Sequence, residues 1–156
     1  MDKSTKRAKP GGGLQVVMEH TFRVPRPRVF RAWTDPALME KWFAPAGMQA
    51  VGVQADVAVG GSYRIGMRGP DGIVNVVAGK YVEILPPERL VFTWAWQTDP
   101  PEAVSLVTVE FFDLGDATRV VLKHRQLPTP QDQESHRRGW EGCLAQLENK
   151  IQGGDI

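Results

Sequence analysis

The sequence predicts an α+β domain in which a curved antiparallel sheet of about seven strands closes on one long C-terminal helix. Three observations predict it. Apolar and polar residues alternate with period two through much of the chain from Leu14 to His124. Glycine and proline clusters cut that alternation into short segments, as consecutive antiparallel strands require. After Thr129 the apolar spacing switches to three and four, the period of a helix.

The first strand comes from Leu14 to Arg23, where Val16, Met18, His20 and Phe22 alternate with Val17, Glu19, Thr21 and Arg23. Pro25 and Pro27 end it, and Pro27 suits the first turn of a short helix, where its missing N–H costs nothing. Val29, Phe30 and Trp33 give that helix an apolar side. Asp35-Pro36 starts a second short helix, with the carboxylate as cap and the proline in the first position. Leu38, Met39, Trp42 and Phe43 follow at helical spacing until Pro45 and Gly47 stop it.

Strands follow. Met48 to Val53 is one, and Tyr63, Ile65 and Met67 mark one face of the next, with Arg64 and Arg68 turned to solvent. Gly69-Pro70-Asp71-Gly72 is a strong turn signal, so its flanks form a hairpin. The valine-rich run from Ile73 to Ile84 closes at Pro86-Pro87. Leu90, Phe92, Trp94 and Trp96 share a face, then Val107, Val109 and Phe111, then Val120, Leu122 and His124. Thr129-Pro130-Gln131-Asp132 fits a helix start, and Trp140, Cys143, Leu144, Leu147 and Ile151 form its apolar stripe before Gly153-Gly154 ends it.

At 156 residues, with no internal repeat and no dividing linker, the chain is expected to be one domain over 14–156. Lys3, Lys6, Arg7 and Lys9 precede Pro10 and three glycines, so residues 1–13 read as a disordered basic tail. The net charge of +1 argues against an extended nucleic-acid surface. The single cysteine, Cys143, excludes an internal disulfide and suits a reducing compartment. No stretch approaches the roughly 20 apolar residues of a membrane span, and the N-terminus lacks a secretory apolar region. A cytoplasmic location is the expectation.

One helix is about 10–12 Å wide with its side chains, far narrower than a sheet of about seven strands spaced about 4.8 Å apart. The sheet must therefore curl to be covered. Its inner face carries Phe92, Trp94, Trp96 and Phe111 opposite Trp140. Each buried aromatic removes roughly 150–250 Å² from water, worth several kcal/mol at about 25 cal/mol per Å². Two outcomes fit: a filled core, or a ligand pocket of about 300–1,000 Å³ beneath the concave side.

Three blocks then point to a family. The first is Val29-Phe30-Arg31-Ala32-Trp33-Thr34-Asp35-Pro36 continuing to Lys41-Trp42-Phe43-Ala44-Pro45. The second is Gly79 and Tyr81 followed by Glu83 to Trp94, and the third is His124 with Gly139-Trp140-Glu141-Gly142-Cys143-Leu144 and Leu147. Together they span nearly the whole chain. The sequence resembles the bacterial relatives of the C-terminal domain of the Hsp90 ATPase activator Aha1, within the START/Bet v 1-like superfamily. The resemblance implies a helix-grip fold with a cavity between sheet and last helix. It implies little about activity, because that superfamily holds carriers, receptors and cyclases alike.

The usual catalytic and cofactor signatures are missing, among them H-E-x-x-H, C-x-x-C, G-x-S-x-G, the Walker A pattern and G-x-G-x-x-G. No catalytic residue, metal or cofactor is assigned. His20 and His124 are weak candidates for an acid or base. The simpler reading of His20 is a buried histidine satisfied by hydrogen bonds, and that of His124 a hydrogen bond to a nearby loop. Asn75, Tyr81 and Ser105 are candidates for orienting hydrogen bonds. Cys143 reads as a small buried hydrophobe.

Three functions follow. The leading one is a binding module for a small hydrophobic or amphipathic molecule, lined by Trp42, Met67, Trp94, Trp96, Phe111, His136, Trp140 and Leu144. The alternatives are a cyclase- or hydrolase-type enzyme in the same pocket and a module that docks on an Hsp90-family chaperone.

Overall fold

The period-two segments all become strands of one sheet. A computed structural model describes residues 13–156, so the expected basic tail lies, but for Gly13, outside the described residues. Those residues form β1 (Leu14–Phe22), α1 (Arg26–Thr34), α2 (Pro36–Trp42), β2 (Gln49–Ala55), β3 (Ser62–Arg68), β4 (Val74–Leu85), β5 (Arg89–Trp96), β6 (Ser105–Asp113), β7 (Thr118–Leu127) and α3 (Pro130–Gln152). The strand order is β1-β7-β6-β5-β4-β3-β2, and every pairing is antiparallel. From β2 to β7 each strand pairs with the next in sequence. β1 and β2 lie at opposite edges, about 29 Å apart at about 4.8 Å per strand. α1 and α2 are the connection that crosses that distance, and their apolar sides fill the space they cross.

The caps read from the sequence are in place. Asp35 accepts the Ala37 N–H at 3.0 Å, and Thr129 accepts the Asp132 N–H at 3.0 Å. The Thr129 hydroxyl donates to the Asp132 carboxylate at 2.9 Å, so both side chains of the capping pattern hold the start of α3. Gly153 caps the other end, with Gly154 at φ +81°.

The curl of the sheet comes partly from register shifts that simple alternation does not reveal. Residues three apart on a regular strand face opposite sides, yet Ala50 and Val53 are both buried, as are His124 and Leu127. Each pair brackets a bulge: one lies between Val51 and Gln54, with Gly52 at φ +60°, the other opposite Leu14–Val16, with Gln126 at φ 66°. A third shift falls between Tyr81 and Glu83. Bulges add twist and bend, and two of these three lie in the pairings of the two edge strands.

One contact fastens the lid. Gly142 of α3 lies against the loop after α2, where an added Cβ would meet the Ala46 nitrogen at 2.3 Å. One turn on, the Gln146 carboxamide donates to the carbonyls of Ala44 at 2.6 Å and Pro45 at 2.8 Å. The Gly139-to-Leu147 block is therefore a seam between α3 and the 43–48 loop.

Candidate ligand-binding site

The concave face has two unequal parts. Beneath α1, α2 and the middle of α3 the rings interlock. Trp33 lies 4.7 Å from Trp42 and 5.5 Å from Phe43, with Phe111 and Trp140 at 6.2 and 6.1 Å, ring centre to ring centre. Trp42 donates its indole N–H to the Ala32 carbonyl at 3.0 Å. Three residues expected to line a pocket, Trp42, Phe111 and Leu144, are therefore packed in this filled part, since the two short helices occupy the room below them.

Beyond the reach of those helices, a cavity of about 230 Å³ lies between β3–β5 and the first half of α3. Met67, Trp94 and Trp96 form its sheet side, and His136, Trp140 and Cys143 its helix side. Pro45 and Met48 contribute from the fastened loop. Asn75 and Ser135, both exposed, stand where the cavity meets solvent. Five of the eight residues expected to line a pocket are thus brought together: Met67, Trp94, Trp96, His136 and Trp140. The volume is smaller than the range expected from the sequence. Trp94, Trp96 and His136 also border a second recess of about 110 Å³ near Leu127 and Asp132.

A directed hydrogen-bond chain backs the cavity. The Trp140 indole N–H donates to His124 Nδ1 at 3.0 Å. Nδ1 is then the acceptor nitrogen, so Nε2 carries the proton and donates to Ser105 Oγ at 2.7 Å. The serine hydroxyl donates in turn to the Trp94 carbonyl at 3.2 Å. His124 is fully buried, and burial, helped by the nearby His136, holds its pKa down at about 3. Its partners are Ser105 on the neighbouring strand and Trp140 on the helix, rather than a loop, because β7 continues past it to Leu127. Both ring nitrogens are committed, which leaves no lone pair for proton abstraction.

His136 is oriented differently. Its Nδ1 donates to the Asp132 carbonyl, one helical turn back, at 2.8 Å, so Nε2 is the lone pair. That lone pair receives the Trp96 indole N–H at 3.5 Å, the far limit of a hydrogen bond. The indole N–H of Trp94 is buried and has no partner.

The other candidates lie elsewhere. His20 is not buried: its side chain is 35% exposed, with Nε2 at 2.7 Å from the Glu148 carboxylate. It sits on the edge strand, which α3 covers only in part, and its ring packs on Phe22. Tyr81 lies away from the cavity among Tyr63 and Phe92, where burial pushes its hydroxyl up to about 12. Cys143 is fully buried and its thiol is pushed well above the usual range, so it is an unreactive wall atom. Sequence patterning missed Pro45, Met48, Ser135, Gly139 and Cys143 as lining: Pro45 signals only the end of α2, and Ser135, Gly139 and Cys143 become wall only because that stretch of α3 lies over the open part of the sheet. Among the described residues no three His, Cys, Asp or Glu side chains are placed to hold a metal ion. No described helix is long and apolar enough to cross a membrane.

Comparison with known proteins gives a consistent set of relatives. The family model described as "Activator of Hsp90 ATPase homolog 1-like protein" matches residues 23–152. The human protein named "Activator of 90 kDa heat shock protein ATPase homolog 1" is 22% identical over 143 residues. That alignment covers 88% of this chain and 38% of the human protein, so the chain spans little more than a third of that relative's length. The solved structure of the AHSA1 protein from Silicibacter pomeroyi is 26% identical, with a TM-score of 0.79 and coverage of 89% of this chain and 98% of that one. A structure from Rhizobium leguminosarum is 28% identical, with a TM-score of 0.75 and coverage of 89% and 94%.

Proposed function

The chain belongs to the activator of Hsp90 ATPase homolog 1-like family, with the Bet v 1-like fold, and from that premise we propose that it is a non-catalytic binding module for a small hydrophobic or amphipathic molecule. The observation that carries this reading is the cavity of about 230 Å³ between the sheet and the first half of α3, walled by indole, thioether and imidazole groups. A concave, mostly apolar site with a few polar groups is the usual form of a small-molecule site. The packed half beside it supplies a rigid wall, so a ligand meets a surface already formed.

The closed hydrogen-bond chain through His124 supports binding over catalysis, as a general base needs a free lone pair within reach of its substrate. His20, paired with Glu148, lies outside the residues that line the cavity. The test is native mass spectrometry of the protein taken from its own host, followed by titration of the released compound into ligand-free protein while tryptophan fluorescence is read. A retained small molecule that quenches in a saturable way is the expected result. Protein that retains nothing, and whose fluorescence no apolar compound alters, removes the proposal.

A second reading is favoured by the human relative, whose name ties it to a heat-shock ATPase. On that reading the chain docks on an Hsp90-family chaperone through its outer surface. A pull-down from the native host with the chain as bait tests it. Recovery of the chaperone supports docking, and its absence at levels where a control partner is recovered rejects it.

A further inference from the structure

The outer face of the sheet, turned away from α3, is unevenly charged. Its side chains alternate with the buried ones, so Glu19, Glu83 and Glu110 are the carboxylates that the strands turn outward. All three are held by arginines of the same face. Glu19 pairs with Arg119 at 3.0 Å, and Arg89 lies between Glu83 at 2.8 Å and Glu110 at 2.9 Å. Arg64, Lys80, Lys123 and Arg125 also stand on this face, all exposed. Among the described residues none of these four is paired with a carboxylate. The chain as a whole carries only +1, so the positive excess is local. A recess lies among these cations. Ala78 and Ala95 are small outward residues directly opposite each other on β4 and β5. With Ser62, Gly79 and Thr93 they line a hollow of about 460 Å³, to which Pro100, Pro101 and Val104 contribute from the loop after β5. Lys80 and one carboxylate, Asp99, complete its charged lining. The Lys80 backbone N–H donates to the Thr93 hydroxyl at 2.8 Å, which fixes that cation beside the floor. Arg64 is the cross-strand partner of Ala78, and Arg125 lies across from Leu106, itself across from Thr93.

We propose that this face docks an extended acidic segment of a partner protein. One apolar side chain of the segment sits in the recess, and carboxylates on either side of it pair with Lys80 or Arg64 and with Arg125. The spacing suits such a segment. Arg125 on β7 and Lys80 on β4 are three strands apart, about 14 Å at about 4.8 Å per strand. An extended chain rises about 3.3 Å per residue, so carboxylates about four residues apart reach both cations. Curvature selects the class of partner. A flexible segment follows a convex sheet, whereas a flat bilayer or a rigid duplex touches it along a narrow line. The face lies on the opposite side of the sheet from the cavity, so its failure leaves the binding reading intact. It holds for any acidic partner, whether a chaperone or another protein.

The experiment titrates the full chain against a fluorescein-labelled heptapeptide of alternating Glu and Asp with Leu at its centre, and against the same peptide with Gly there. A single-stranded oligothymidylate and phosphatidylserine-containing vesicles are measured beside them. The expected result is that the Leu peptide binds more tightly than the Gly peptide and loses at least about tenfold in affinity between about 50 and about 500 mM salt. Lys80→Glu combined with Arg125→Glu lowers that affinity at least about tenfold, while Lys150→Glu on α3 leaves it unchanged. Ala95→Leu, which fills the recess from the outer side, abolishes the difference between the two peptides. No binding of either peptide at about 50 mM salt, by a chain with the ¹⁵N–¹H NMR spectrum of a folded protein, overturns the proposal. Equal losses from the Lys80 and Arg125 reversal and from the Lys150 reversal overturn its placement on this face. Equal affinity of the two peptides overturns the apolar anchor. Tighter binding of the oligothymidylate or the vesicles than of the Leu peptide overturns the choice of a protein partner.

Discussion

The two halves of the concave face are built from the same kinds of residue and behave differently. Trp33, Trp42, Phe43 and Phe111 share a space that α1 and α2 cross, and their rings meet edge to face at 4.7–6.2 Å wherever Trp33 is one partner to Trp42, Phe43 or Phe111. Trp94, Trp96 and Met67 lie toward the other end, where the first half of α3 and the 43–48 loop stand over them, and Trp94 joins the two parts by packing on Phe43 and Trp140. Aromatic content therefore does not decide between core and cavity. What decides is whether a second layer reaches the rings. The connection that must cross from one sheet edge to the other fills the ground along its path and leaves the remainder open.

The largest test of that contrast is truncation on each side. Trp33→Ala is expected to cost about 3–5 kcal/mol, the usual range for removing a fully buried ring, read from urea denaturation. Trp96→Ala, at a half-buried cavity wall, should cost less than about 1 kcal/mol. Equal losses would erase the distinction between the halves.

The second test uses pH, because His124 sits on the boundary between them. Its folded pKa of about 3 lies below the ordinary value of about 6.5 for an unfolded histidine. Below pH 6.5 the unfolded chain gains a proton that the folded chain refuses. Its contribution to stability is therefore intact above about pH 6.5 and is lost as pH falls toward 3, at up to about 1.4 kcal/mol per pH unit. Unfolding free energies of the wild type and of His124→Gln, measured from pH 7 to pH 4.5, should converge or cross on acidification by that slope. Parallel curves would mean that the histidine is not held neutral.

A smaller effect is expected at the seam. Gly142→Ala places a methyl against the backbone of Ala46, and overpacking of this kind costs about 1–3 kcal/mol. Thermal unfolding measures it. A substitution without cost would show that the loop is free to move away from α3.

Much of this architecture was legible in residue order. The caps at Asp35 and Thr129, the hairpin at Gly69–Gly72 and the stripe on α3 are local signals, and each forms where its chemistry places it. The site was legible only in part. Met67, Trp94, Trp96, His136 and Trp140 fall on periodic faces that point inward, so alternation finds them. Trp42 and Phe111 fall on equally apolar faces, and nothing local says that another helix covers them. The partners of His124 depend on a register between β6 and β7 and on the depth of α3, both set by contacts far apart in sequence. Burial of residues three apart on one strand requires a bulge, which Gly52 hints at and Gln126 does not.

The seam at Gly142 and Gln146 also bears on how the proposed binding cavity could open. The 43–48 loop is tied to α3 by two hydrogen bonds of Gln146 and by the close approach of Gly142, so lifting either breaks those contacts. On the proposed binding reading, the solvent-facing side of the cavity lies between the β3–β4 hairpin and the second turn of α3, where Asn75 and Ser135 are exposed. On that reading, substitutions in the hairpin change the rate of exchange and substitutions in the wall behind it change the affinity.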